Sequence, residues 1–106
     1  MENVLEKKAL VLLSQKIKDN FPETKLWLFG SRARGNETPD SDYDIFVLHN
    51  HLPEESTVLS DIIWEVGFDY DIFFSPIVIS KNEDYYPKFL KTPLYRNILK
   101  EGVEIL

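Results

Sequence analysis

Apolar positions recur with helical spacing over the first twenty residues. Leu5, Ala9, Leu13 and Ile17 lie four apart, Leu10 and Leu12 widen the stripe, and lysines and glutamates fill the opposite face. That period predicts an amphipathic helix from about Asn3 to Asn20. Phe21-Pro22 ends it, because the residue before a proline avoids helical backbone angles. The pattern then changes. Lys25–Phe29 (KLWLF) is short, apolar and partly aromatic, which predicts a buried strand. Gly30-Ser31 breaks the strand, Ser31 is placed to cap a short helix (SRARG), and Gly35 closes it. Residues 36–41 (NETPDS) have turn composition. Asp42-Tyr43-Asp44 opens a second strand, continued by IFVL, and alternation turns both aspartates to one face.

The second half repeats the switch of period. Pro53-Glu54-Glu55 suits a first helical turn, and Val58, Leu59, Ile62, Ile63 and Val66 form a helical stripe that Gly67 ends. Residues 68–79 (FDYDIFFSPIVI) read as a third extended segment, interrupted by Pro76, with Asp69, Asp71 and Phe73 on a shared face. A short helix is expected over Glu83 to Leu90. Another begins at Thr92-Pro93, burying Leu94, Tyr95, Ile98 and Leu99, and stops at Gly102; residues 103–106 then suit a short edge strand. The alternation of helices and strands indicates an α/β (α+β) fold, a single small mixed sheet covered by helices.

Composition narrows the function classes. With 106 residues and 43% hydrophobic content, the chain is expected to form one domain with an ordinary core. Its 18 acidic and 12 basic residues give a net charge of -6, which argues against an extensive nucleic-acid surface. A small anionic ligand remains compatible, because local arginines and a metal can reverse the field. The absence of cysteine excludes disulfides and thiolate metal sites and suits a reducing, cytoplasmic setting. No stretch reads as a signal peptide or a membrane span.

Candidate chemistry concentrates between Lys25 and Asn50. Gly30 allows a ligand close to the backbone. The Ser31 hydroxyl and the amides of the following turn suit an anion, with the helix dipole favouring negative charge. Arg32 and Arg34 in the same turn can pair with phosphate oxygens. Two aspartates on one strand face repel each other and have no apolar use, and a divalent cation such as Mg²⁺ relieves that conflict by bridging carboxylates to phosphates. Taken singly, each feature also has a bland reading as a turn, a solvated helix face or a solvated strand end. Their order and spacing carry the weight. Tyr43, Trp64, Tyr70, Tyr85 and Tyr86 are candidates to stack on a base or simply to pack. His49 and His51 fall in the expected loop after the second strand and are poor ligands for a hard, oxygen-seeking metal.

GSRARG followed by SDYD, with ten residues between Ser31 and Asp42, resembles the signature of the minimal nucleotidyltransferases of the DNA polymerase beta superfamily. The strongest match covers residues 26–48. The resemblance implies a nucleotidyltransferase fold that binds a nucleoside triphosphate and two Mg²⁺ ions, transfers the nucleoside monophosphate to a hydroxyl and releases pyrophosphate. Carried over by position, Gly30 and Ser31 hold phosphate, with Arg32 and Arg34 beside them, and Asp42 and Asp44 bind metal. The family's third carboxylate falls on Asp71 or Asp69. Asp71 is preferred because an apolar run, IFF, follows it, which makes Asp42, Asp44 and Asp71 the expected catalytic and metal-binding set.

Larger members carry a second domain for the acceptor, so the acceptor here is expected on another chain. Stand-alone members resemble the antitoxin halves of toxin–antitoxin modules, in which the partner is a helical HEPN-type ribonuclease. That resemblance implies AMP transfer from ATP to a partner protein, with oligomerisation possible. Two other readings stay open: a nucleotide-binding module of the same fold without turnover, and a purely structural interaction domain.

Overall fold

The computed structural model describes residues 4–30, 35 and 42–105. The first helix, α1 (Val4–Asn20), ends where the sequence expects, and Phe21 turns back into the core. Strands β1 (Lys25–Phe29) and β2 (Tyr43–His49) follow, then the long helix α2 (Glu55–Tyr70) and strand β3 (Phe74–Ser80). The chain closes through a single helical turn, α3 (Tyr86–Phe89), a helix α4 (Pro93–Glu101) and a two-residue strand β4 (Val103–Glu104).

The sheet has the order β3-β2-β1-β4 and is mixed. β1 pairs antiparallel with β2 and β4, whereas β2 and β3 run parallel with α2 as their crossover. A parallel pair needs such a long connection, and a helix packed on one sheet face supplies it. One face of the sheet carries Leu26, Tyr43, Ile45, Val47 and Phe74, and it is covered by Ala9, Leu13 and Ile17 of α1 and by Leu59, Ile63 and Val66 of α2. Each of the buried leucine, isoleucine and valine side chains contributes about 1.5–3 kcal/mol by leaving water. The opposite face carries Phe46, Leu48 and Ile79 beneath Phe89 and Ile98. Phe46 is its hub: its ring lies 5.3 Å from Trp27 and 5.4 Å from Phe89, the range favoured by aromatic pairs.

The expected helix start at Thr92 is present. Its side chain accepts a hydrogen bond from Tyr95 N–H at 3.2 Å, and Pro93 occupies the first turn. Several burial expectations are corrected. Of the α4 residues, Ile98 is buried and Tyr95 half-buried, but Leu94 and Leu99 face solvent, because only the Ile98–Tyr95 side of the helix packs on the cluster around Phe46. Leu5 and Val58 are likewise exposed. His49 is not in a loop: it is the last residue of β2 and is buried.

The largest correction concerns residues 67–73. Gly67 does not end α2; the helix runs on to Tyr70, so Asp69 is helical and does not lie on a strand. Gly67 is buried because the chain after the helix folds back across it. A Cβ there would lie 2.6 Å from the Ile72 carbonyl oxygen and 3.0 Å from the Phe74 ring. Asp71 occupies the left-handed position just past the helix (φ 55°, ψ 44°), with Asp71 N–H donating to Phe68 O and Ile72 N–H to Gly67 O. That pattern is a Schellman motif, whose left-handed residue is usually glycine and tolerates aspartate. The expected extended face of Asp69, Asp71 and Phe73 therefore does not exist.

Candidate active site

β1 ends at Phe29, which pairs with Asp44 of β2. The next residue, Gly30, has a φ of +79°, a conformation open to glycine at little cost. The space a side chain would fill there is taken by Asp44: a Cβ on Gly30 would overlap the carboxylate Oδ2 and stand 3.1 Å from its Cγ. The glycine thus lets a carboxylate lie against the backbone where the strand turns. Tyr43 and Ile45 point into the α1/α2 core, so Asp44 is on the other face, ahead of Phe46 and Leu48. Asp44 is half-buried and Asp42, one residue before the strand, is exposed.

On the neighbouring strand, Ser75 lies directly opposite Asp44. Tyr43 N–H donates to Phe73 O at 2.9 Å, the bond that anchors the first pair, Tyr43 with Phe74, so Phe73 and Asp42 are the residues just before the paired strands. The positions level with the two aspartates are therefore Phe73 and Ser75, and neither is a carboxylate. Asp71 lies two residues earlier, in the helix cap. Among the described residues no group of three His, Asp or Glu side chains is placed to hold a metal ion. The parallel register alone reveals Ser75, because no local pattern marks a serine two places into an apolar strand.

Gly30 is described, whereas Ser31, Arg32 and Arg34 lie outside the described residues. Asp42 and Asp44 supply hard carboxylate oxygens at the mouth of a strand pair. That donor set fits Mg²⁺, which is held by one or two carboxylates with water and phosphate oxygens completing its shell.

At the far end of β2, His49 is 1% exposed. His51 N–H donates to its Nδ1 at 3.2 Å, so the ring proton sits on Nε2, which donates to Ser56 Oγ at 2.7 Å. Burial, and then the neighbouring His51, hold the His49 pKa below its ordinary 6.5 against the smaller opposing pull of Glu83 and Glu55. This polar knot ties β2 to α2 at the end of the strand opposite the aspartates. Its role is architectural.

No helix among the described residues is long and apolar enough to cross a membrane.

The sequence profile of the nucleotidyltransferase domain matches residues 10–105. The chain is 34% identical over 80 residues to the "Putative protein adenylyltransferase MJ0141" of Methanocaldococcus jannaschii, covering 74% of each chain. In fold it is similar to a crystal structure of the toxin–antitoxin MntA–HpeT mutant, with a TM-score of 0.61, 16% identity, and 92% of this chain and 72% of that one covered. A toxin–antitoxin crystal structure with AMP-PNP matches at the same TM-score with 19% identity, covering 93% of this chain and 71% of that one. With the profile spanning nearly the whole chain and the Asp44 carboxylate set against Gly30, this protein belongs to the nucleotidyltransferase domain family.

Proposed function

We propose that this nucleotidyltransferase transfers AMP from ATP to a hydroxyl on a partner protein, using two Mg²⁺ ions, as the antitoxin half of a module whose toxin is a HEPN-type protein. The observation that carries the reading is the seating of the Asp44 carboxylate against Gly30, which brings an acid and an open backbone turn to one point. The name of the archaeal relative supports transfer to protein. The toxin–antitoxin assemblies of similar fold, one of them with AMP-PNP, support the nucleotide and the kind of partner.

In this reading Gly30, Ser31, Arg32 and Arg34 hold the phosphates, and Asp42 and Asp44 hold the metal. Bound Mg²⁺ supplies charge neutralisation of the phosphates in the transition state. Gly30 gives the Asp44 carboxylate room against the backbone, and Asp44, fixed by its place in β2, would hold the metal to which the phosphates bind. The acceptor oxygen attacks the α-phosphorus, the bond to the bridging oxygen breaks, and pyrophosphate leaves. The acceptor proton passes to a base, for which Asp71 is the proposed group.

A specific observation favours a second reading. Because Asp71 sits in a helix cap and Phe73 and Ser75 stand level with the aspartates, the domain has the features of a nucleotide-binding module of the same fold with weak or no turnover.

The two readings part in one experiment. The protein is incubated with ATP, Mg²⁺ and a candidate HEPN-type partner, and the partner's intact mass and pyrophosphate are followed. Addition of one or more AMP units, lost in the Asp42→Asn/Asp44→Asn variant, establishes the transferase. Saturable ATP binding without a mass increase or pyrophosphate assigns the module.

A further inference from the structure

The outer face of α2 carries a stripe that the core does not use. Asp61, Trp64, Glu65, Phe68 and Asp69 follow one another at helical spacing, and all five are exposed. Phe68 is 87% exposed and Trp64 51%. Phe73, 73% exposed, stands just beyond the helix cap. With Gly67 and Ile72 these aromatics line a groove of about 650 Å³ whose edge is formed by Glu65 and Asp71. Three aromatic rings exposed to this degree present on the order of 400 Å² of apolar surface, at the upper end of what a soluble chain leaves uncovered without use.

Charge identifies what fits the groove. From Gly35 to Ser80 the sequence contains no lysine or arginine, while its acids include Glu54, Glu55, Asp61, Glu65, Asp69 and Asp71. The last turn of α2 has no basic residue, although cations are favoured at that end of a helix. Asp69 and Asp71 stand there instead, against the helix dipole. An external cation corrects that arrangement, and arginine or lysine laid over Trp64 or Phe68 gains from the ring face as well. A nucleic acid or an anionic membrane is repelled by the same acids. A second copy of this acidic chain brings its own like-charged surface.

Position ties the groove to the reaction. Phe73 O accepts from Tyr43 N–H, so one wall of the groove is joined to the strand that directly follows Asp42. We propose that the Trp64–Phe68–Phe73 groove docks a cationic amphipathic segment of the protein that accepts the nucleotide, and so delivers its hydroxyl to the aspartates. This identification of the acceptor side rests on the transferase reading; the docking itself does not.

The test uses the full chain and two synthetic eighteen-residue peptides. One is an amphipathic leucine/arginine helix, and the other replaces every arginine with glutamate. Binding is followed by peptide anisotropy and by the fluorescence of Trp64, with Trp64→Phe identifying its share of the signal. The arginine peptide is expected to bind and to perturb Trp64, while the glutamate peptide does not. Phe68→Ser is expected to weaken binding at least tenfold, and Glu65→Lys/Asp69→Lys to weaken it further and to flatten its salt dependence. All these positions are exposed, and far-ultraviolet circular dichroism checks that each variant folds.

Equal binding to wild type and both variants, or equal binding of both peptides, overturns the proposal. So does a wild-type dimer on sedimentation that Phe68→Ser dissociates, since the groove then belongs to a second copy. ATP binding and pyrophosphate release are measured separately with Asp42→Asn/Asp44→Asn. Loss of the transferase reading there leaves peptide docking intact, and failure of docking leaves the nucleotide chemistry intact.

Discussion

Replacing Gly30 with alanine tests the contact on which the site is built. The added methyl meets two costs. A residue with a Cβ at φ +79° loses about 1–2 kcal/mol relative to ordinary backbone angles. The methyl also occupies the space of Asp44 Oδ2, so the carboxylate must rotate, at about 0.5–1.5 kcal/mol for a side chain driven off its rotamer. Together the loss is about 2–3 kcal/mol, and at about 4–8 °C per kcal/mol for a domain of this size the thermal midpoint falls by roughly 10–20 °C. Nucleotide affinity falls with it, because Asp44 no longer points where the turn can use it. A double-mutant cycle separates the two costs. In an Asp44→Ala background the remaining Cβ stands 3.3 Å from the added methyl, a contact that needs only a small shift. Gly30→Ala then pays for its backbone alone, which predicts a coupling energy of about 1 kcal/mol. Urea unfolding of the four proteins measures it. Additivity within about 0.3 kcal/mol, or a Gly30→Ala protein as stable as wild type, refutes the contact.

Three further outcomes are expected. Because the folded-state pKa of His49 lies below 6.5, the unfolded chain takes up a proton in a range where the folded chain resists it. Stability is therefore full above pH 6.5 and declines as the pH falls through the folded value, and the urea midpoint of wild type between pH 7.5 and 5 drops more steeply than that of His49→Gln. Thr92→Ala removes the cap of α4 and costs about 1 kcal/mol in the same assay; an unchanged midpoint shows that the cap bond to Tyr95 N–H contributes nothing. Arg34→Ala, if the arginine holds phosphate, weakens ATP affinity by about 1–3 kcal/mol in isothermal titration, and an unchanged affinity returns Arg34 to a solvated surface.

Much of the fold is legible because its signals are local. The stripe of Ala9, Leu13 and Ile17, the apolar KLWLF segment and the Thr92-Pro93 start each depend on a few neighbouring residues, and each appears where expected. Expectation fails where distant segments meet. Gly67 reads as a helix stop because glycine usually marks one. Here it instead leaves room for Ile72 and Phe74 to cross a continuing helix. Leu94 and Leu99 read as buried because the period marks a face, but a period does not say how wide the covering surface is.

The site divides along the same line. The sequence by itself determined the glycine that ends β1 and the place of Asp44 on the face opposite Tyr43 and Ile45, since strand alternation is a property of the chain alone. It also determined the acidic run from Gly35 to Ser80. Only the tertiary structure decided which group stands opposite Asp44. Parallel pairing of β2 with β3 sets Ser75 against Asp44 and runs Phe73 beside Tyr43, while the left-handed cap of α2 takes Asp71 off the strand. Register is a relation between segments thirty residues apart, fixed by how α2 packs and where it ends, and no local period encodes it.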